Sequence, residues 1–412
     1  MKHLLTLLCL VVGSLALSAA DWPQFRGPDG QGHSSATDLP TEWDATKNVV
    51  WKQDIPGSGW SSPVVVEGKV YLTSAVVIDK SKDLSLRTLC LDASSGKILW
   101  NVETFRQAAT GSPNIHGKNS HASPTPVVEG GRIYVHFGHQ GTACLDPMGK
   151  ILWSNRDLKY THVHGNGGSP VLVDGLLVFS TDGASVREVI ALDAKTGKVK
   201  WRTARSGKAA KNFSFTTPLV IEVAGKKQII SPASDMVAAY DPATGAEVWK
   251  VRYTGYSVIP RPVFGHGMLF LSTSYDSASV LAIKADGKGD VTDTHLLWSL
   301  KKGAPHTPSM LLVGEELYMV SDDGLGTCVD AKKGTVYWQE RLGGNGYSAS
   351  PIYADGKLWF LAEDGVGTVV KAGKTYERLA RNPLGERTLA SYAAIDGALF
   401  IRSKDRLYRI GK

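Results

Sequence analysis

The stretch Ala191-Leu192-Asp193-Ala194-Lys195-Thr196-Gly197-Lys198-Val199-Lys200-Trp201 decides the fold. A small residue and an aliphatic one end a strand, Asp193 opens a turn, Gly197 supplies a positive φ, and the next strand presents Trp201 to a neighbouring surface. The phrase returns around Asp92/Gly96/Trp100, Asp146/Gly149/Trp153, Asp241/Gly245/Trp249 and Asp330/Gly334/Trp338, and a stretched copy ends at Trp298. A second phrase precedes it at Pro63/Gly68/Tyr71, Pro126/Gly131/Tyr134, Pro170/Gly175/Val178, Pro262/Gly267/Phe270 and Pro351/Gly356/Trp359. Looser copies begin at Pro218 and Pro308, and Tyr392/Gly397/Phe400 keeps the spacing without proline. Each copy reads as two short alternating strands joined by a glycine turn.

Two hairpins per unit, repeated eight times, predict an all-β chain: an eight-bladed β-propeller of four-stranded antiparallel blades. Length alone, at 412 residues, would suggest two or three domains. The repeat replaces them with one propeller over residues 49–412, at roughly 45 residues per blade. Trp51 closes a strand that has no hairpin before it, while the last hairpin and Arg406–Ile410 lack a fourth strand. The N-terminal strand is therefore expected to complete the C-terminal blade, leaving no open edge. One closing strand, near Lys371–Tyr376, is degenerate and lacks tryptophan.

Composition agrees with this reading: 42% hydrophobic and 21% charged residues exclude a disordered chain, and 44 Gly and 11 Trp suit turns and strands. No run of 18 apolar residues occurs, so no transmembrane segment is expected. Met1-Lys2-His3, the apolar run Leu4–Leu17 and Ser18-Ala19-Ala20 have the form of a signal peptide, residues 1–20, cleaved after Ala20. Export to the periplasm or beyond follows, with residues 21–48 as an extension packed on the propeller. Cys90, Cys144 and Cys328 each stand two residues before a repeat Asp, where other copies have Ala191 and Ala239. They read as small core residues, because equivalent positions on different blades do not reach disulfide distance.

The Ala-x-Asp-x-x-x-Gly-Lys-x-x-Trp pattern at Ala191–Trp201 resembles the tryptophan-docking repeat of pyrroloquinoline quinone (PQQ)-like β-propellers. Trp22-Pro23-Gln24-Phe25-Arg26-Gly27-Pro28 also resembles the opening of secreted PQQ-repeat proteins. The resemblance covers essentially all of residues 49–412. It implies either a quinoprotein dehydrogenase or a non-catalytic scaffold such as the outer-membrane assembly lipoprotein. A dehydrogenase of this kind holds PQQ between a Trp and an adjacent-cysteine disulfide, binds calcium through carboxylate and amide oxygens, and uses an Asp base. This chain has no Cys-Cys pair, and nothing in the sequence selects among Asp182, Asp235, Asp276, Asp322 and Asp364 for the base or the calcium ligand.

In each blade the turns from strand A to B and from C to D are short, so local function is expected on the opposite face. That face carries the B–C loops and the crossings from strand D to the next strand A. The crossings are basic, in a chain of net charge +7, which suits an envelope protein or an anionic polysaccharide as partner. No nucleic-acid motif is present, and a monomer is expected. By position, the candidate contacts are Trp60, His121, Asn166, Phe215, Arg261, His306, Tyr347 and Arg387. His121, His139, His162 and His164 form the sharpest candidate for a metal site, but without a carboxylate among them they read better as hydrogen-bonding the loop backbone around the channel, and no metal is expected. The expected function is a non-catalytic binding or scaffolding propeller with no cofactor; the alternative is a PQQ- and calcium-dependent dehydrogenase oxidising an alcohol or sugar.

Overall fold

The computed structural model describes residues 21–109 and 115–411; the leader read in residues 1–20 lies outside the described residues. Eight antiparallel four-stranded blades make a ring, with innermost strands beginning at Val64, Val127, Val171, Leu219, Val263, Leu311, Ile352 and Ala393. These strands are only three to five residues long, as the crowding near the axis demands. Val49–Asp54 pairs with Arg406–Gly411 and closes blade 8. The ring is thus locked by strands from both ends of the chain.

The repeat turns act as their composition dictates. Asp193 Oδ1 accepts the N–H groups of Lys195 and Thr196, and Asp92 accepts those of Ser94 and Ser95, together with their hydroxyls, which hold its carboxyl down at about 2. The strand that follows delivers a tryptophan to the next blade. Trp51, Trp100, Trp153, Trp201, Trp298 and Trp338 each donate Nε1–H to a carbonyl there, over 2.9–3.1 Å. Each of the first five also lies against the turn glycine of that blade: a Cβ at Gly197 would stand 2.4 Å from the Trp153 ring. Glycine is required there twice over, by its φ of +70° and by that approach. Cys90, Cys144 and Cys328 are free and fully buried.

Two junctions depart from the rule. In blade 7 the degenerate region 372–376 is the turn, and the closing strand is Arg378–Pro383. Ala380 pairs with Val369 as Trp338 pairs with Cys328, so alanine takes the tryptophan position. Between blades 4 and 5, Trp249 is wholly buried and donates to Gln228 within its own blade. There Gly289–Asp290 adds a short parallel strand to blade 4.

Gly175, at φ +75° with open space around its Cβ position, isolates backbone strain from docking. Gly175→Ala is expected to cost about 1 kcal/mol, and Gly197→Ala about 1–3 kcal/mol more, as Trp153 is displaced. Denaturant midpoints check this, and equal losses would show that the glycine–tryptophan contact does not constrain the junction.

Candidate functional site

The blades meet near the axis through a collar of hydroxyl groups. Just ahead of each innermost strand stands Ser62, Thr125, Ser169, Thr217, Arg261, Ser309, Ser350 or Ser391. Ser62 N–H donates to Thr125 Oγ1, Thr125 to Ser169, Ser169 to Thr217, Arg261 to Ser309, Ser309 to Ser350, Ser350 to Ser391, and Ser391 back to Ser62, all at 2.9–3.1 Å. Short side chains that accept from a neighbouring backbone suit this task, since they satisfy N–H groups that would otherwise be orphaned near the axis. Arg261 interrupts the relay at the blade 4–5 junction. Its guanidinium instead donates to Pro218 O and to Phe25 O.

Phe25 belongs to a segment that closes the channel at the A–B turn end. Trp22 exchanges backbone hydrogen bonds with Val65 of blade 1, and Pro23 O accepts from Val128 of blade 2. Gln31 Oε1 accepts from Phe264 of blade 5, Arg26 and His33 bond to Met310 O and Leu312 O of blade 6, and Gly32 O accepts from Tyr353 of blade 7. Gly397 N–H of blade 8 donates to Thr37 O. Burial pushes the guanidinium groups of Arg26 and Arg261 down to about 9 and about 10, so both stay charged at neutral pH beneath the collar.

What remains is a cavity of about 440 Å³, floored by Phe25, ringed by the seven collar hydroxyls and open towards the B–C loops and D–A crossings. Its mouth carries an arc of rings, in edge contact for His116 with His164 at 5.8 Å, His164 with Phe213 at 5.4 Å and Phe213 with Tyr256 at 6.0 Å, and tilted for Tyr256 with Tyr275 at 6.2 Å. Lys211 Nζ stands 3.6 Å over the Tyr256 ring. Trp60 lines the cavity and lies beneath the Arg387 guanidinium. Lys118, also in the lining, pairs with Glu363 at 2.7 Å.

The structure brings together only part of the expected contact set. Trp60 and Phe215 line the cavity, His306 touches Tyr275 at the rim, and exposed Arg387 lies over Trp60. Arg261 and Tyr347 are buried, the first tied to the N-terminal segment and the second to Gly343 O. Asn166 lies in a separate polar pocket of about 20 Å³, where it accepts from Tyr160. Phe213, Tyr256, Tyr275 and the collar hydroxyls line the site beyond that expected set. The hydroxyls had a sequence signal, because Ser or Thr precedes most of the repeat prolines.

Of the histidines weighed as metal ligands, His139 and His162 approach to 4.6 Å between rings. His162 Nδ1 accepts from Gly165 N, His139 contacts Gln140 and Asn166, and His164 turns to the cavity. Among the described residues no group of three or more His, Cys, Asp or Glu is arranged to hold a metal ion.

The residues present do not fit a PQQ–calcium pair. Among the described residues, Asp322 is the one carboxylate in the cavity lining, and it accepts the N–H groups of His306 and Thr307 and the Thr307 hydroxyl. The other aspartates considered also tie B–C loops to crossings: Asp182 to Arg205 and Ser214, Asp235 to Ala210, Asp276 to Tyr256, and Asp364 to Asn345. A calcium-linked base needs a carboxylate free at the cofactor, and the three free cysteines lie in the strands, apart from the cavity.

Comparison with known proteins gives the class. The model of the PQQ_2 family, described as outer membrane protein assembly factor BamB, matches residues 34–119, 87–255 and 233–375, and the chain belongs to this PQQ-repeat family. BamB of Yersinia pestis is 26% identical over 179 residues, covering 41% of this chain and 42% of that protein. Methanol dehydrogenase [cytochrome c] subunit 1 of Methylobacterium organophilum is 26% identical over 170 residues, covering 38% of this chain and 27% of that one. The matched stretch thus spans less than half the length of either relative. Among solved structures, BamB from Moraxella catarrhalis superposes with a TM-score of 0.59 at 14% identity, covering 88% of this chain and 99% of the other. Quinohemoprotein alcohol dehydrogenase ADHIIG from Pseudomonas putida HK5 gives 0.64 at 14% identity, covering 95% and 80%. These likenesses establish the propeller.

Burial holds the histidines near the cavity neutral: His136 falls to about 3, and His139 to about 4, where neighbouring His162 and His121 add to the effect. The unfolded chain takes up these protons near pH 6.5, well before the folded one does. Stability is therefore fully present above pH 6.5 and falls as pH drops from there towards 4. Denaturant midpoints measured from pH 7 to 4 should decline, and His136→Gln should flatten the decline; an unchanged slope would show that His136 is not held neutral.

Proposed function

We propose that this chain is an exported, non-catalytic binding propeller that captures an envelope partner, a protein or an anionic polysaccharide, on the face of its B–C loops and D–A crossings. The observation that carries this reading is the one-ended cavity. Its closed floor, aromatic arc and two lysines offer a contact surface, while its single lining carboxylate is fully engaged in holding a loop. BamB, by its description an assembly factor of outer membrane proteins, is a member of the same family. The second reading, a PQQ- and calcium-dependent dehydrogenase acting on an alcohol or sugar, draws on the dehydrogenase relatives. The residues lining this cavity do not support it.

Incubation with PQQ and calcium is expected to give no bound-cofactor spectrum and no dye-linked alcohol oxidation. Either signal at stoichiometric loading would favour the dehydrogenase. Immobilised protein should retain an envelope component at low salt, and Trp60→Ala should reduce retention about tenfold, as loss of a buried aromatic anchor does. Met148→Ala, on the opposite turn face, should leave it unchanged. Equal retention by both variants would place the contact elsewhere.

A further inference from the structure

The collar hydroxyls each accept one backbone N–H, and none has an acceptor for its own proton among the described residues. All seven line the cavity, so its waist is a ring of O–H donors facing a shared space. A donor ring calls for an acceptor-rich occupant. Charge points the same way: Lys211 stands in the lining, Arg261 and Arg26 lie buried beneath, Lys118 and Glu363 neutralise each other, and the Asp322 carboxylate is held by the His306–Thr307 backbone.

The number of donors separates kinds of anion. A carboxylate offers about four lone-pair sites, fewer than seven hydroxyls and the Lys211 ammonium group can use. An acidic peptide side chain brings little else, whereas a sugar acid adds ring and hydroxyl oxygens beside the charged group. The wall separates shapes. The rim rings meet at interplanar angles of 76–87° between His116, His164, Phe213 and Tyr256, so successive rings turn across one another and form no parallel slot for a flat polycyclic molecule. The C–H face of a puckered pyranose packs on the face of a single aromatic ring and needs no such slot. About 440 Å³ falls within the range of small-molecule sites and suits one or two sugar residues.

We propose that the cavity binds an acidic pyranose, a hexuronate, with its carboxylate towards the collar and Lys211 and its apolar face against Phe213 and Tyr256. This rests on the binding-propeller reading and adds a ligand class to it. The same chemistry is found in a free sugar acid and at the end of a uronate-containing polysaccharide.

Titration calorimetry on the full folded chain tests the proposal, with glucuronate, an oligogalacturonate, glucose, a glutamate-rich peptide and PQQ as probes. Glucuronate or the oligomer should give a saturable heat that weakens between 50 and 200 mM salt, with glucose about tenfold weaker or worse. Stronger binding of the oligomer would assign the site to a polysaccharide end, and equal binding to a free sugar acid. Lys211→Met, at an exposed position, should weaken uronate binding about tenfold without shifting the thermal midpoint. Ser350→Ala should also weaken it, and Phe213→Leu provides a second probe if that variant fails to fold. Equal affinity for glucose and glucuronate, preference for the peptide, or no sugar binding at millimolar concentration would overturn the proposal. Loss of uronate binding alongside retained, Trp60-dependent capture of an envelope component would sink this inference alone. Tight PQQ binding with alcohol oxidation would remove the binding-propeller reading as well.

Discussion

A sheet structure closed into a ring must join every blade to the next, and nearest the axis the join is a relay of backbone N–H groups onto Ser and Thr hydroxyls. The polar backbone there has little access to solvent and no strand partner, so an orphaned group would cost about 1–3 kcal/mol. Ser62, Thr125, Ser169, Thr217, Ser309, Ser350 and Ser391 remove that cost one junction at a time. The arrangement also has a chemical by-product. Hydroxyls used as acceptors towards the backbone present their protons to the channel, so the device that closes the ring also gives the cavity its character.

At larger radius the blades join differently. Tryptophan from one blade lies on the turn glycine of the next and donates to its backbone, which fixes the angle between them. Both devices fail at one place, the junction of blades 4 and 5, where Arg261 replaces the collar hydroxyl and Trp249 turns back into its own blade. There the N-terminal segment takes over through the bond from Arg261 to Phe25 O. The closed floor and the irregular junction are therefore one feature seen from two sides.

The blade count, the docking turns and the strand exchange that closes blade 8 were legible in the sequence, because each recurs at a fixed spacing or leaves a conspicuous remainder such as Trp51. Blade 7 was misplaced by a few residues, because with alanine at position 380 nothing marked the strand. Trp60 and Phe215 could be placed at the cavity from their positions just ahead of strands. Phe213, Tyr256 and Tyr275 could not, because each occurs once, the first two on crossings and the third on a B–C loop, whose paths are set by tertiary contacts such as Tyr256 with Asp276. Arg261 and Tyr347 show the limit of positional reasoning: equivalent places in a repeat carry contacts in some blades and structural bonds in others. The path of residues 22–37 beneath six blades depends on single hydrogen bonds that have no repeat to announce them.

The collar, interrupted at Arg261 alone among its eight positions, is one structural element on which both ring closure and cavity depend. Native-state hydrogen exchange of the amides of Ser62, Thr125, Ser169, Ser309, Ser350 and Ser391 tests this dependence most directly. These N–H groups should exchange only through the same global opening that releases the inner strands, with matching free energies. Fast exchange through local opening, while the neighbouring strand amides stay protected, would contradict it.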